Sequence, residues 1–124
     1  MKNTLYSLFI FFILLGCYEP TRDCETFKNG TFTFTTTLNN DEVTTTFTRI
    51  DSIEIDRFNN QIDTSSVRWL NNCEYVIKKI RPKNKAEEKS IHIKIISTTD
   101  SSYTFSYGLV GETKKSKGTA FKIK

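Results

Sequence analysis

The chain predicts an all-β fold of about eight short antiparallel strands in a meander, closed as an up-and-down barrel or a strongly curled sheet. Three observations lead there. From Gly30 onward apolar and polar residues alternate with period two, the spacing of a half-buried strand. Threonine, isoleucine and aromatic residues fill the alternating stretches, and all three suit a pleated surface. Breaks rich in Asn, Asp, Ser and Gly recur at hairpin spacing. A meander with one apolar face per strand protects its edges by closing on itself. A two-sheet sandwich is the other closure this pattern allows.

Residues 18–29 read as a tether, broken by Pro20 and by Asn29-Gly30, and residues 30–124 as the folded domain. Thr31–Thr37 sets Phe32 and Phe34 on one face and threonines on the other. After the polar turn at 38–42, Val43–Ile50 carries Val43, Thr45, Phe47 and Arg49 in phase. Asp51-Ser52 breaks the chain, and Ser52–Phe58 then alternates Ile53 and Ile55 against Glu54 and Asp56. The isoleucines are expected inside and the acids in water. Phe58-Asn59-Asn60-Gln61 turns into Ile62–Leu70. Asn71-Asn72 is expected to turn next, because asparagine tolerates positive φ. Cys73–Ile80 follows with Cys73, Tyr75 and Ile77 in phase.

Residues 81–89 lack alternation, and Pro82 with the 84–88 stretch suggests a loop holding one short helical turn. Ile91, Ile93 and Ile95 mark the next strand. Tyr103, Phe105, Tyr107 and Leu109 mark the one after it. Gly118–Lys124 closes the sheet, with Phe121 and Ile123 as its apolar residues.

The N-terminus is of a different kind. Lys2 precedes the apolar run Leu5–Leu15, which falls short of the roughly 20 apolar residues a membrane-spanning helix needs. Residues 1–16 therefore read as a signal peptide. Its end, Leu14-Leu15-Gly16-Cys17, resembles a bacterial lipobox. That resemblance implies cleavage before Cys17, lipid on its thiol and acylation of the new amine, which leaves 17–29 as a lipidated tether. One acyl chain binds a membrane marginally, whereas several anchor stably. The site implied is the cell envelope, with the outer membrane favoured. Cys24 and Cys73 remain as an even pair in an oxidising compartment and are expected to form a disulfide. Closing a loop of about 50 residues is worth roughly 4 kcal/mol. Zinc ligation fits worse, since the chain has no Cys-x-x-Cys and a single histidine.

The formal net charge of +4 is spread along the chain. Its densest basic run, Lys114-Lys115-Ser116-Lys117, lies between Gly111 and Gly118 and reads as a solvated hairpin turn rather than a nucleic-acid patch.

With Leu14-Leu15-Gly16-Cys17, the opening Asn29-Gly30-Thr31-Phe32-Thr33-Phe34 and the central Trp69-Leu70-Asn71-Asn72-Cys73-Glu74-Tyr75, the chain resembles small bacterial lipoproteins with a lipocalin-like β-rich domain. It is shorter than typical lipocalins and lacks their Gly-x-Trp opening, so ligand binding does not transfer with the fold. Its 63–69 and 111–115 stretches are similar to lipoproteins that sometimes carry the label DNA topoisomerase IV. That label finds no phosphate-cradling glycine loop and no acidic metal triad in this chain.

No residue set spells out catalysis, a cofactor or a metal site. His92 lacks a second imidazole, and no serine sits in a Gly-x-Ser-x-Gly elbow. Arg49, in phase with Phe47, is expected to point inward. There its planar fork can bind an anionic group, or it can cap the core beside Trp69. Arg49, Trp69 and Tyr107 are the candidate ligand-binding residues. Two functions follow. One is a membrane-anchored, non-enzymatic interaction or accessory module of the envelope that meets other envelope proteins. The other is a lipocalin-like carrier of a small apolar or amphipathic ligand. An interior cavity of about 300 Å³ or more would favour the carrier.

Overall fold

The computed structural model describes residues 22–124. Eight antiparallel strands form one closed barrel in chain order: β1 (Gly30–Leu38), β2 (Asp41–Ile50), β3 (Ile53–Phe58), β4 (Gln61–Asn71), β5 (Glu74–Lys79), β6 (Ile91–Thr98), β7 (Ser102–Leu109) and β8 (Ser116–Lys122). β1 completes the ring by pairing with β8, from Phe32 opposite Lys122 to Phe34 opposite Ala120. The barrel predicted from period-two patterning is thus observed, and the sandwich is not.

Short asparagine turns set the register. Asn39-Asn40 and Asn59-Asn60 both hold positive φ (51° and 68°, 46° and 61°), as the tightest hairpins require. Asp51 does the same at φ 54° between β2 and β3. Between β4 and β5 the expected turn moves by one residue. β4 runs through Asn71, and Asn72-Cys73 make the turn without positive φ. The Asn71 side-chain carbonyl accepts from the Cys73 backbone N–H at 2.9 Å, and a bulge between Trp69 and Asn71 absorbs the extra residue. Cys73 therefore sits in a turn rather than in phase within a strand.

Three further expectations change. Residues 85–88 form two i→i+3 hydrogen-bonded turns, Glu88 to Lys85 and Lys89 to Ala86, and no regular helix. The one short helical turn among the described residues is a 3-10 turn at Glu25–Phe27, inside the presumed tether. Phe27 is wholly buried there, because its ring plugs one end of the barrel against Phe32 and Tyr103. In β8, Phe121 faces outward and Ala120 inward, and Ile123 beyond the strand is exposed. The wall there has room for little else: a Cβ on Gly118 would collide with the Phe34 ring and press on Phe105.

The expected Cys24–Cys73 disulfide is present and pins the 3-10 turn to the β4–β5 turn. Cys17, the expected lipidation site, and the expected signal peptide over 1–16 lie outside the described residues.

Candidate functional site: a plugged floor and a carboxylate-bearing mouth

Hairpin turns alternate between the two ends of a meander barrel, so the ends differ in kind. The β2–β3, β4–β5 and β6–β7 turns share one end with the Phe27 plug. The β1–β2 and β3–β4 turns and the long 80–90 and 110–115 connections surround the other. The first end is sealed, and the second is a mouth.

Above the plug lies a polar layer built around Arg49, which has no solvent exposure. Its Nη1 donates to the Phe27 carbonyl at 2.8 Å, and Nε and Nη2 donate to Glu54 Oε1 at 3.2 and 3.0 Å. Nη2 also lies 2.8 Å from the Tyr75 hydroxyl and 3.0 Å from that of Tyr103, and the two hydroxyls share a hydrogen bond at 3.3 Å. The guanidinium carbon stands 4.4 Å from the Tyr75 ring centre, 5.2 Å from Phe32 and 5.8 Å from Trp69. Burial alone would make the arginine easier to neutralise, but the Tyr75 and Tyr103 hydroxyls and Glu54 more than offset it, and the charge is held.

Glu54 and Asp56 point inward, with Ile53 and Ile55 on the outer side, reversing the expectation. The cause is register. With a two-residue turn at Asp51-Ser52, Arg49 lies directly opposite Glu54, and directly opposed residues share a face. Burying the arginine therefore brings the acid in with it and sets the phase of β3. An inward Arg49 beside a two-residue turn was the signal in the sequence that could have located Glu54.

Beyond this layer the mouth holds a cavity of about 180 Å³. Phe34, Phe47, Phe105 and Tyr107 form its aromatic wall, Ile77, Ile91 and Ile93 its aliphatic wall, and Tyr75 and Tyr103 part of its floor. Glu54 and Asp56 are its charged residues. A second space of about 320 Å³ adjoins it beneath the 80–90 loop, sharing Asp56, Ile77 and Ile91 and reaching Lys79, Glu87 and Lys89. Of the three candidate ligand-binding residues, Tyr107 lines the mouth. Arg49 and Trp69 do not line it. Arg49 lies beneath, with its guanidinium nitrogens bonded to protein groups. Trp69 packs on Tyr75 at 4.5 Å between ring centres, with the Lys28 ammonium 5.1 Å from its own.

Asp56 differs from the other inward acids. Glu54 is neutralised by Arg49, and Asp63 lies 3.5 Å from the Lys79 ammonium. The Asp56 side chain makes neither a hydrogen bond nor an ion pair among the described residues. Burial first, then the neighbouring Glu54 and Asp63 carboxylates, push its carboxyl up to about 7, against the opposing pull of Lys79 and Arg49. Among the described residues no group of His, Cys, Asp and Glu is placed to hold a metal ion. His92 lies on the outer side, 3.2 Å from Glu74. Comparison with protein-family models, with curated proteins and with solved structures finds no match.

Proposed function

We propose that this chain is an exported lipoprotein of the cell envelope, anchored through Cys17 and non-enzymatic, whose barrel holds a small amphipathic ligand in its mouth. One observation carries the ligand-binding half. The mouth keeps an apolar, aromatic-lined cavity with a few convergent polar groups, which is the make-up of small-molecule sites. A barrel acting only as a spacer or docking block would gain stability by filling that space. The cavity itself is smaller than the roughly 300 Å³ expected of a drug-sized site. The adjoining space under the 80–90 loop extends it, so the ligand is compact or reaches beneath that loop. The lipobox residues Leu14-Leu15-Gly16-Cys17 support the anchoring half, and the outer membrane is the destination we favour.

Two experiments test these halves. N-phenyl-1-naphthylamine, a neutral apolar dye, should brighten on binding the native chain. Ile91→Trp, which places a large ring in the mouth, should abolish that response while leaving the unfolding midpoint within a few degrees. An undiminished response in a folded Ile91→Trp variant would remove the mouth as the binding site. In cells fed radiolabelled palmitate, the native chain should take up label and Cys17→Ala should not. Equal labelling of both would end the lipoprotein reading.

A second reading, docking to envelope proteins, has one observation in its favour. On the outer surface Leu70 and Val110, both about half exposed, flank a shallow depression edged by Arg68, His92 and Lys115. A partner there would be lost with Leu70→Glu and unaffected by Ile91→Trp.

A further inference from the structure

The mouth is asymmetric in charge, and that asymmetry selects a ligand. Its lining includes two carboxylates and no lysine, arginine or histidine. Glu54 is already matched by Arg49 at 3.0 Å, so the uncompensated group facing the space is Asp56. Lys79, a lysine whose charge acts on Asp56, is drawn to Glu87 at 2.6 Å and to Asp63 at 3.5 Å. Half-buried at the edge of an apolar cavity, the Asp56 carboxylate is stabilised by a cation or donor placed beside it. Around it Phe34, Phe47, Phe105 and Tyr107 line the space with aromatic rings, whose faces attract cations and repel anions.

We propose that the occupant of the mouth is a small organic cation, an amine or quaternary ammonium with an apolar body, whose charge sits on Asp56 and whose body fills the aromatic and isoleucine walls. This rests on reading the mouth as a binding cavity and adds the chemical class of its ligand. A fatty acid or other anionic amphiphile is disfavoured in the aromatic cavity, because its carboxylate would meet Asp56 there with no basic residue in the lining, Lys79 and Lys89 bordering only the adjoining space. A neutral amphiphile would leave Asp56 without a partner.

The ionisation of Asp56 tunes this site. The groups facing it are Glu54 on its own strand, Asp63 on β4, Lys79 on β5 and Arg49 on β2, with Glu87 and Lys89 of the 80–90 loop lining the adjoining space. Because its carboxyl titrates at about 7, a cation binds the ionised form and drives off a proton. Affinity for a cation therefore rises from pH 5 to pH 8.

The test uses three probes of one shape and different charge, 3-phenylpropylamine, 3-phenylpropanol and 3-phenylpropanoate, titrated calorimetrically into the full chain in a neutral maltoside detergent. At pH 8 the amine should bind about tenfold or more tighter than either analogue, and about tenfold weaker at pH 5. Asp56→Asn, which keeps the shape and removes the charge, should cut amine affinity about tenfold and leave that of the alcohol unchanged. If the alcohol binds as well as the amine, or Asp56→Asn leaves the amine unaffected, the cation assignment fails and the cavity reading stands. Tighter binding of the propanoate also overturns the assignment. If none of the three binds the native chain, the cavity reading fails with it.

Discussion

The Arg49 guanidinium and the Glu54 carboxylate meet at 3.0 Å on adjacent strands, the first with no solvent exposure and the second almost as deeply buried. Each compensates a charge that neither could carry alone at the centre of the barrel.

Removing one partner should therefore cost more than removing both. Arg49→Met leaves Glu54 buried without a cation and strips donors from the Phe27 carbonyl and the two tyrosine hydroxyls. A loss of about 3–5 kcal/mol is expected. Arg49→Met with Glu54→Leu should recover a large part of it, since a packed apolar pair is often no worse than a buried ion pair. Urea unfolding of the three variants checks the order; a double variant weaker than the single would refute it.

The Cys24–Cys73 bridge spans a sequence separation of 49 residues. Its removal as a Cys24→Ser, Cys73→Ser pair should lower stability by about 4 kcal/mol in the chain-entropy model. Because the bridge holds the 3-10 turn in place, proteolysis near Phe27 should accelerate first. Uniform cleavage along the whole chain would show that the plug is held by packing alone.

Asp56 gives stability an unusual pH dependence. Its folded carboxyl titrates at about 7, above the ordinary carboxylate range of the unfolded chain. The folded state thus binds the proton more tightly between about pH 4 and pH 7. This group favours folding fully below the unfolded value, and its contribution fades as pH rises through 7. Asp56→Asn should leave stability nearly unchanged at pH 4 and raise it at pH 8, by up to about 4 kcal/mol. Denaturant midpoints at pH 4, 6 and 8 test this, and an equal offset at every pH would disprove it.

Much of this architecture was legible in sequence. Period-two alternation marked the strands, asparagine pairs marked two hairpins, and the phase of Phe47 carried Arg49 inward. The cysteine pair was readable from the even count that remains once the lipobox-like Cys17 is set aside. The carboxylate wall was missed because Ile53 and Ile55 looked like the buried face, and hydrophobicity alone does not register what a buried arginine requires across the sheet. The inward face of β8 was missed for a related reason. Gly118 and Ala120 are small because Phe34 and Phe105 fill the space from other strands, so the large residue on β8, Phe121, marks the outside. Both misses are relations between strands, which no single window contains. The plug was hidden by Pro20 and Asn29-Gly30, which made a packed segment look like a linker.

On the proposed lipid anchor, the seal of the barrel would also bias its orientation. Cys24 is fastened at the plugged end, and Cys17 precedes it by about seven residues, a leash of roughly 25 Å at full extension. Were Cys17 acylated as proposed, the plugged end would lie nearer the lipid and the opening would turn toward the aqueous space. Such a barrel would draw its cargo from the side opposite its own bilayer, and the lipids around its anchor would be the molecules least able to reach Asp56.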